Sequence, residues 1–197
     1  ENFNLHGKKY EISNYMVKMG VTTCIGGNCG NHRQPLKDFK ETIHEMGGAP
    51  VNYYMLTGYN HHREAVGGDR YKPITEDQME EIKDRVREEL AQGAMGISFG
   101  IEYDPGMTKE EIIEVLTVLD PQDHIASAHY RSDATEAMDA IHEMIEIAEE
   151  SGIPFQISHL SSCSAMGQMD QALQQIPIAE PPGANWAQVR TALGQAA

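Results

Sequence analysis

The chain has 197 residues, with 15 Lys+Arg against 30 Asp+Glu, a formal charge of −15 and a pI near 4.9. That acidity argues against nucleic acid and anionic membranes as partners, because both require a positive footprint, and no apolar run approaches the roughly 20 residues of a membrane span. The length suffices for one domain with a real core. Three cysteines without a CxxC pair suit a reducing, cytoplasmic compartment better than a disulfide framework.

The opening from Glu1 to Lys9 is loop-like and starts without Met, so it reads as a start within a longer protein. Tyr10 to Met19 carries Ile12, Tyr15, Met16 and Met19 at helical spacing, and Gly20 stops it. Val21 to Ile25 is predicted as a strand, followed by the tight loop Gly26 to Gly30. A helix is expected near Pro35 to Met46, a strand at Val51 to Leu56, and a loop at Gly58 to Arg63. Thr75-Glu-Asp-Gln78 is a capping box that opens a helix with Met79, Ile82, Val86 and Leu90 on one face. Met95 to Ile101 is the next strand, and Thr108-Lys-Glu-Glu111 is a second capping box whose helix runs to about Leu119. The strand His124 to His129 follows. The helix after Asp133 is expected to turn Met138, Ile141, Ile145 and Ala148 inward and to stop at Gly152, before the strand Pro154 to His159.

This alternation argues an α/β fold with a parallel sheet. Five strands separated by single helices fit part of a (β/α)₈ barrel, whose whole needs about 250 residues. An open doubly wound sheet is the structural alternative. It calls for a G-x-G-x-x-G turn after an early strand, and Gly26-Gly-Asn-Cys-Gly30 lacks that spacing.

Three residues stand at or just beyond strand ends: Cys29, His129 and His159. The C-terminal ends of barrel strands are where this architecture carries its chemistry, and thiolate with imidazole nitrogen is a zinc ligand set. His129 and His159 are thirty positions apart, one strand–helix–strand unit, so both rings should enter one mouth. Cys29 taken alone also fits a buried structural thiol; in series with the two histidines it reads as a ligand. Cys24 and Cys163 are better candidates for inert thiols. Glu102 is a bridging or supporting carboxylate, or simply a loop residue before a Pro-Gly turn. Adjacent His61 and His62 are poorly placed to chelate one ion together. Arg63 and Arg131 are candidates for a substrate carboxylate, or equally for surface ion pairs.

Four segments in series resemble the N-acyl-D-amino-acid deacylases (D-aminoacylases) of the amidohydrolase superfamily. Gly20-Val-Thr-Thr-Cys-Ile-Gly-Gly-Asn-Cys-Gly30 resembles their GVTT…GNCG, and Gly93 to Gly106 their GA.G.S.GLEY.PG. Ala128-His-Tyr-Arg-Ser-Asp133 is similar to THMRSE, and Gly152 to Leu160 to G.P.QISHL. The resemblance spans about residues 10 to 165. It implies a (β/α)₈ TIM barrel of the metal-dependent hydrolase type, present here as a portion without its first and last strands. It also implies a zinc cofactor on Cys29, His129 and His159, and hydrolysis of a C–N amide bond in a small N-acyl amino acid. The family's His-x-His and its late aspartate, the general base, have no counterpart here, which implies no catalytic base in this chain and no turnover by it alone. Ser161 stands where a substrate-binding lysine often follows the SHL motif, leaving other amides open. On this reading residues 1–180 are the central part of the barrel and 181–197 a tail or displaced segment. The rivals are a cyclic amidohydrolase such as a dihydroorotase or hydantoinase, which would want a carboxylated lysine absent between Met95 and Tyr103, and a non-catalytic zinc-binding barrel.

Overall fold

A computed structural model describes residues 4–5, 8–9, 12–32, 34–133 and 136–160. Cys163, Ser161 and the 181–197 tail lie outside the described residues. Two short strands, β1 (Asn4–Leu5) and β2 (Lys8–Lys9), pair antiparallel. Helix α1 (Ser13–Met16) runs into a 3₁₀ turn, Val17–Met19, which Gly20 ends in the left-handed region at φ 86°. The elements then alternate: β3 (Thr23–Gly26), α2 (Leu36–Glu45), β4 (Asn52–Met55), β5 (Thr57–Gly58), α3 (Tyr59–Ala65), α4 (Glu76–Ala91), β6 (Gly96–Gly100), α5 (Lys109–Leu116), β7 (Ile125–His129), α6 (Ala137–Ser151) and β8 (Phe155–Ile157).

All pairings from β3 onward are parallel. β3 pairs with β4, and β5, β6, β7 and β8 form a sheet in chain order. β4 and β5 are separated only by Leu56. Met95 N donates to Met55 O at 2.9 Å, so the 52–58 segment lies between β3 and β6. Spatial order therefore follows sequence order across the strands, which brings their C-terminal ends to one side.

The main core packs α4, α5 and α6 on β6 and β7, with Ile82, Val86, Ile97, Phe99, Ile112 and Met144 fully buried. Each such side chain stabilises the fold by about 1.5–3 kcal/mol relative to exposure. A smaller cluster of Leu36, Phe39, Met55 and Ala94 lies under α2.

Three expectations are corrected by the structure. Gly58 to Arg63 is not a loop: α3 begins at Tyr59, immediately after β5. Helix α6 turns Ala137, Ala140, Met144 and Ile147 inward, one residue round from the predicted face, leaving Met138 and Ile145 exposed. The segment has two adjacent apolar stripes, and the one containing two alanines packs closer to the sheet. The Thr75 capping box forms in full. At Thr108 only half of one forms: Thr108 Oγ1 accepts from Glu111 N at 3.1 Å, while the Glu111 carboxylate turns into the core.

Candidate metal centre

The loop from Gly26 to Gly30 sits across the ends of the strands and is tied to them by hydroxyls. Ser98 on β6 accepts from Gly30 N at 3.0 Å and donates to Gly27 O. Asn28 Oδ1 receives Ser127 Oγ of β7 at 2.9 Å and Ser158 Oγ, just past β8, at 3.2 Å. The seat is close: a Cβ on Gly100 would fall 2.4 Å from Cys29 O, and one on Gly30 would fall 1.7 Å from Asn60 Oδ1. Asn60 clasps the same edge, donating to Gly100 O and accepting from Gly100 N, both at 2.8 Å. Held this way, Cys29 adopts φ 57°. His159 adopts φ 60°, and among the described residues these are the non-glycine residues in the left-handed region. Strain of about 1–3 kcal/mol per such residue persists where surroundings enforce it, and it clusters at functional sites.

These constraints bring the three predicted residues together. Cys29 Sγ lies 3.0 Å from His159 Nε2, the His129 and His159 ring centroids are 5.0 Å apart, and one ligand atom from each of the three lies within 4.8 Å of the others. Zinc bonds of about 2.0–2.3 Å at a tetrahedral centre separate donors by about 3.3–3.6 Å, so small adjustments would bring the trio to an ion. His129 is 5% exposed, and its buried Nε2 has no hydrogen-bond partner among the described residues. Its Nδ1 lies 3.3 Å from Tyr103 Oη. A thiol with two imidazoles, one of them buried, is a donor set that fits a borderline metal ion.

Three further groups here were not singled out as ligands or were read more weakly. Glu102 Oε2 is 2.6 Å from His129 Nε2. Glu102, His129 and Asp133 form a second set with donors within 4.8 Å of each other, and Asp133 Oδ1 is buried without a hydrogen-bond partner among the described residues. Tyr103 contacts the other nitrogen of the His129 ring. Their positions just after strand ends, in Glu102-Tyr103 and His129-Tyr-Arg-Ser-Asp133, were the available signal.

A cleft of about 410 Å³ opens beside Cys29, lined also by Asn31, Asn60, His61, Arg70, Tyr103 and Asp104. The cation on this cleft is Arg70. Arg63 is not at its surface: it is 0% exposed, and its guanidinium donates to Glu111 Oε1 at 2.8 Å, to Asp69 O at 2.9 Å and to Lys72 O. Glu111 also accepts from Tyr59 Oη at 2.9 Å, and burial followed by the Glu111 charge drives the Tyr59 phenol well above its ordinary value. Arg63 is thus a core brace between α3 and α5, a correction to its reading as a substrate ligand. Arg131 is engaged too, donating to both oxygens of Glu143 (2.8 Å from Nε to Oε2, 2.6 Å from Nη2 to Oε1) and to Pro105 O and Met107 O.

A second buried cluster joins His32, His62 and Glu89. His32 Nε2 lies 3.3 Å from Glu89 Oε1, and His62 Nε2 lies 3.7 Å from Glu89 Oε2 and 2.6 Å from Thr57 Oγ1. Burial pushes the Glu89 carboxyl up, but the bonds from His32, His62 and Thr57 outweigh it and hold the group well below the usual carboxylate range. Gly58 N donates to His32 Nδ1 at 2.8 Å, which fixes the ring proton on Nε2, facing Glu89. A metal on that nitrogen would demand an imidazolate, so this cluster reads as a hydrogen-bonded brace. The His61 ring lies tilted against His32 with centroids 4.3 Å apart, and burial, then the neighbouring His32 and His62, hold its imidazole below the ordinary value. His61 and His62 thus face different partners, as their adjacency suggests.

No family model matches the chain. D-aminoacylase of Alcaligenes xylosoxydans xylosoxydans is 30% identical over 167 residues, covering 73% of this chain and 34% of that protein. N-acyl-D-aspartate deacylase of the same organism is 27% identical over 168 residues, with the same coverages of 73% and 34%. The chain spans about a third of the length of these curated relatives. Among solved structures, a D-aminoacylase mutant in complex with copper chloride superimposes with a TM-score of 0.63 at 26% identity, covering 83% of this chain and 43% of that one. The N-acyl-D-glutamate deacylase of Bordetella bronchiseptica, complexed with zinc and a phosphonate inhibitor, shares the fold with a TM-score of 0.64 at 20% identity, covering 83% of this chain and 41% of that one. Sequence motifs, strand order and these likenesses agree: over the part they share, the chain is similar to D-aminoacylases.

Proposed function

We propose that this chain carries the metal-binding part of a zinc-dependent amidohydrolase that deacylates N-acyl-D-amino acids, built as a portion of a (β/α)₈ barrel. One observation carries the reading: Cys29, His129 and His159 meet at the C-terminal ends of parallel strands β3, β7 and β8. Zinc at such a site polarises a water and a scissile carbonyl. The chain's own residues hold and orient. The Ser98, Ser127 and Ser158 hydroxyls fix the Cys29 loop, and Tyr103 lies against Nδ1 of His129, where an N–H donating to its phenol oxygen would leave Nε2 as the ligating atom. The cleft beside Cys29 is the proposed seat of the acyl amino acid, with Arg70 as its cation. Among the described residues no helix is long and apolar enough to cross a membrane.

The test is metal content with turnover. Cys29→Ala should lose zinc on dialysis and, in the full-length protein, stop release of free amino acid from N-acetyl-D-amino acids. Cys24→Ala, whose thiol packs on Met16 Sδ at 3.1 Å, should retain both. Equal zinc in the two variants would make Cys29 a packed thiol and end the proposal.

A further inference from the structure

We propose that Arg63 is a positioning residue: buried beneath the turn 69–72, it sets Arg70 over the cleft beside Cys29 to read the free carboxylate of the substrate. The inference rests on the deacylase reading above and deepens it. Arg70 is the cleft-lining residue with a fixed positive charge, and Glu64 and Asp104 on the same lining oppose an incoming anion. Where that guanidinium stands therefore decides whether a carboxylate is accepted. Its Nη2 donates to Tyr103 O, and its Nε and Nη1 have no hydrogen-bond partner among the described residues. A planar fork with donors to spare takes a carboxylate by two parallel hydrogen bonds.

The backbone on either side of Arg70 is bolted from below. The Arg63 guanidinium, 0% exposed, donates from Nη1 to Asp69 O at 2.9 Å, from Nη2 to Lys72 O, and from Nε to Glu111 Oε1 at 2.8 Å. Glu111 Oε2 in turn accepts from Ile74 N at 3.3 Å. Within the turn, Lys72 N donates to Asp69 O at 3.1 Å and Tyr71 N to Asp69 Oδ1 at 2.9 Å. Arg70 O itself accepts from Gly106 N at 2.8 Å. That second loop comes as near as glycine allows: a Cβ on Gly106 would fall 2.1 Å from Lys72 N.

The consequence is preorganisation. A charged side chain on a free loop loses backbone freedom when it grips a ligand, whereas here the backbone is ordered by folding itself. Glu111 offsets the buried charge of Arg63, and the two carbonyl contacts carry that rigidity to the cleft wall. Lysine, a point charge without the planar fork, cannot make all three contacts at once.

The full-length protein tests this with a matched pair of substrates, N-acetyl-D-leucine and its neutral carboxamide, read as the ratio of their kcat/KM values. Wild type should favour the acid by about tenfold or more, the scale of a hydrogen bond to a charged group. Arg70→Ala should bring the ratio close to one, mainly through KM for the acid. Arg63→Lys and Gly106→Ala both keep Arg70, and each should lower the ratio toward one, with far-UV circular dichroism confirming the fold. Arg63→Lys in the Arg70→Ala background should change the ratio no further, because Arg63 acts through Arg70. A wild type indifferent to the carboxylate, or an Arg70→Ala variant with full preference, would overturn the proposal. So would an Arg63→Lys protein that folds, slows both substrates alike and leaves the ratio intact, since that marks a merely structural role. If Arg63→Lys does not fold, Gly106→Ala decides in the same way, because it displaces the turn without touching the Arg63–Glu111 pair. Deacetylation of neither substrate by the wild type would instead overturn the deacylase reading on which the inference rests.

Discussion

Strands β6 and β7 are buried along nearly their whole length, whereas β3 alternates exposed and half-buried residues. Around β6 and β7 the apolar side chains of α4, α5 and α6 close a dry core. Around β3 the large apolar residues Ile12, Tyr15, Val17, Met19, Ile25 and Tyr54 remain exposed. Yet the loop after β3 delivers Cys29 to the same site as His129. It does so through polar ties to the buried strands, Ser98, Ser127 and Asn60 among them. Packing thus fixes the histidine side of the site, and hydrogen bonds fix the cysteine side.

This contrast can be broken most forcefully at the Arg63–Glu111 brace. Glu111→Ala leaves a 0% exposed guanidinium without its carboxylate, and should destabilise the chain by about 3–5 kcal/mol in urea unfolding. A change under about 1 kcal/mol would show that this region is not held as a unit.

The next effect in size concerns Glu89. Its carboxyl is held below the usual range in the fold, so its contribution is present above the unfolded value of about 4.3 and is lost as pH falls toward the folded value. Glu89→Gln should cost about 1.5–3 kcal/mol at pH 7 and flatten the decline in stability between about pH 5 and pH 3. Equal acid slopes in variant and wild type would remove Glu89 from this role.

The smallest effect on stability sharpens the comparison most. Asn28→Ala removes the acceptor shared by Ser127 and Ser158 and should cost only about 1 kcal/mol. Zinc retention should fall well beyond what that loss suggests, because the loop that carries Cys29 slackens. Unchanged zinc affinity would mean that the left-handed loop holds itself.

Much of this architecture is legible in the sequence because its signals are local. Gly20 and Gly152 end their helices, Thr75 and Gln78 form the predicted box, and the strand ends at His129 and near His159 lie where the apolar runs stop. What was hidden depends on partners distant in sequence. Helix α3 has no apolar period, since Arg63 and His62 are buried by pairing with Glu111 and Glu89. The inward face of α6 was ambiguous because two stripes share one helix. Glu111 looked like a capping residue until its carboxylate met Arg63. Glu102 looked like a turn residue because only the β6–β7 register brings it to His129. The meeting of Cys29, His129 and His159 was readable, while the hydroxyl ties beneath Cys29 were not, because serines in strands carry no distinctive pattern.

The left-handed backbone at Cys29 and His159 sets stability against chemistry at single positions. Glycine is the residue that each φ favours, and it is the replacement that deletes the donor atom. Selection for a more durable fold would push both sites toward glycine, and selection for metal binding alone opposes it. Relatives that have lost the chemistry should therefore drift to glycine at these two positions earlier than elsewhere in the strand-end loops. A redesign guided by backbone comfort would erase this centre before touching the core.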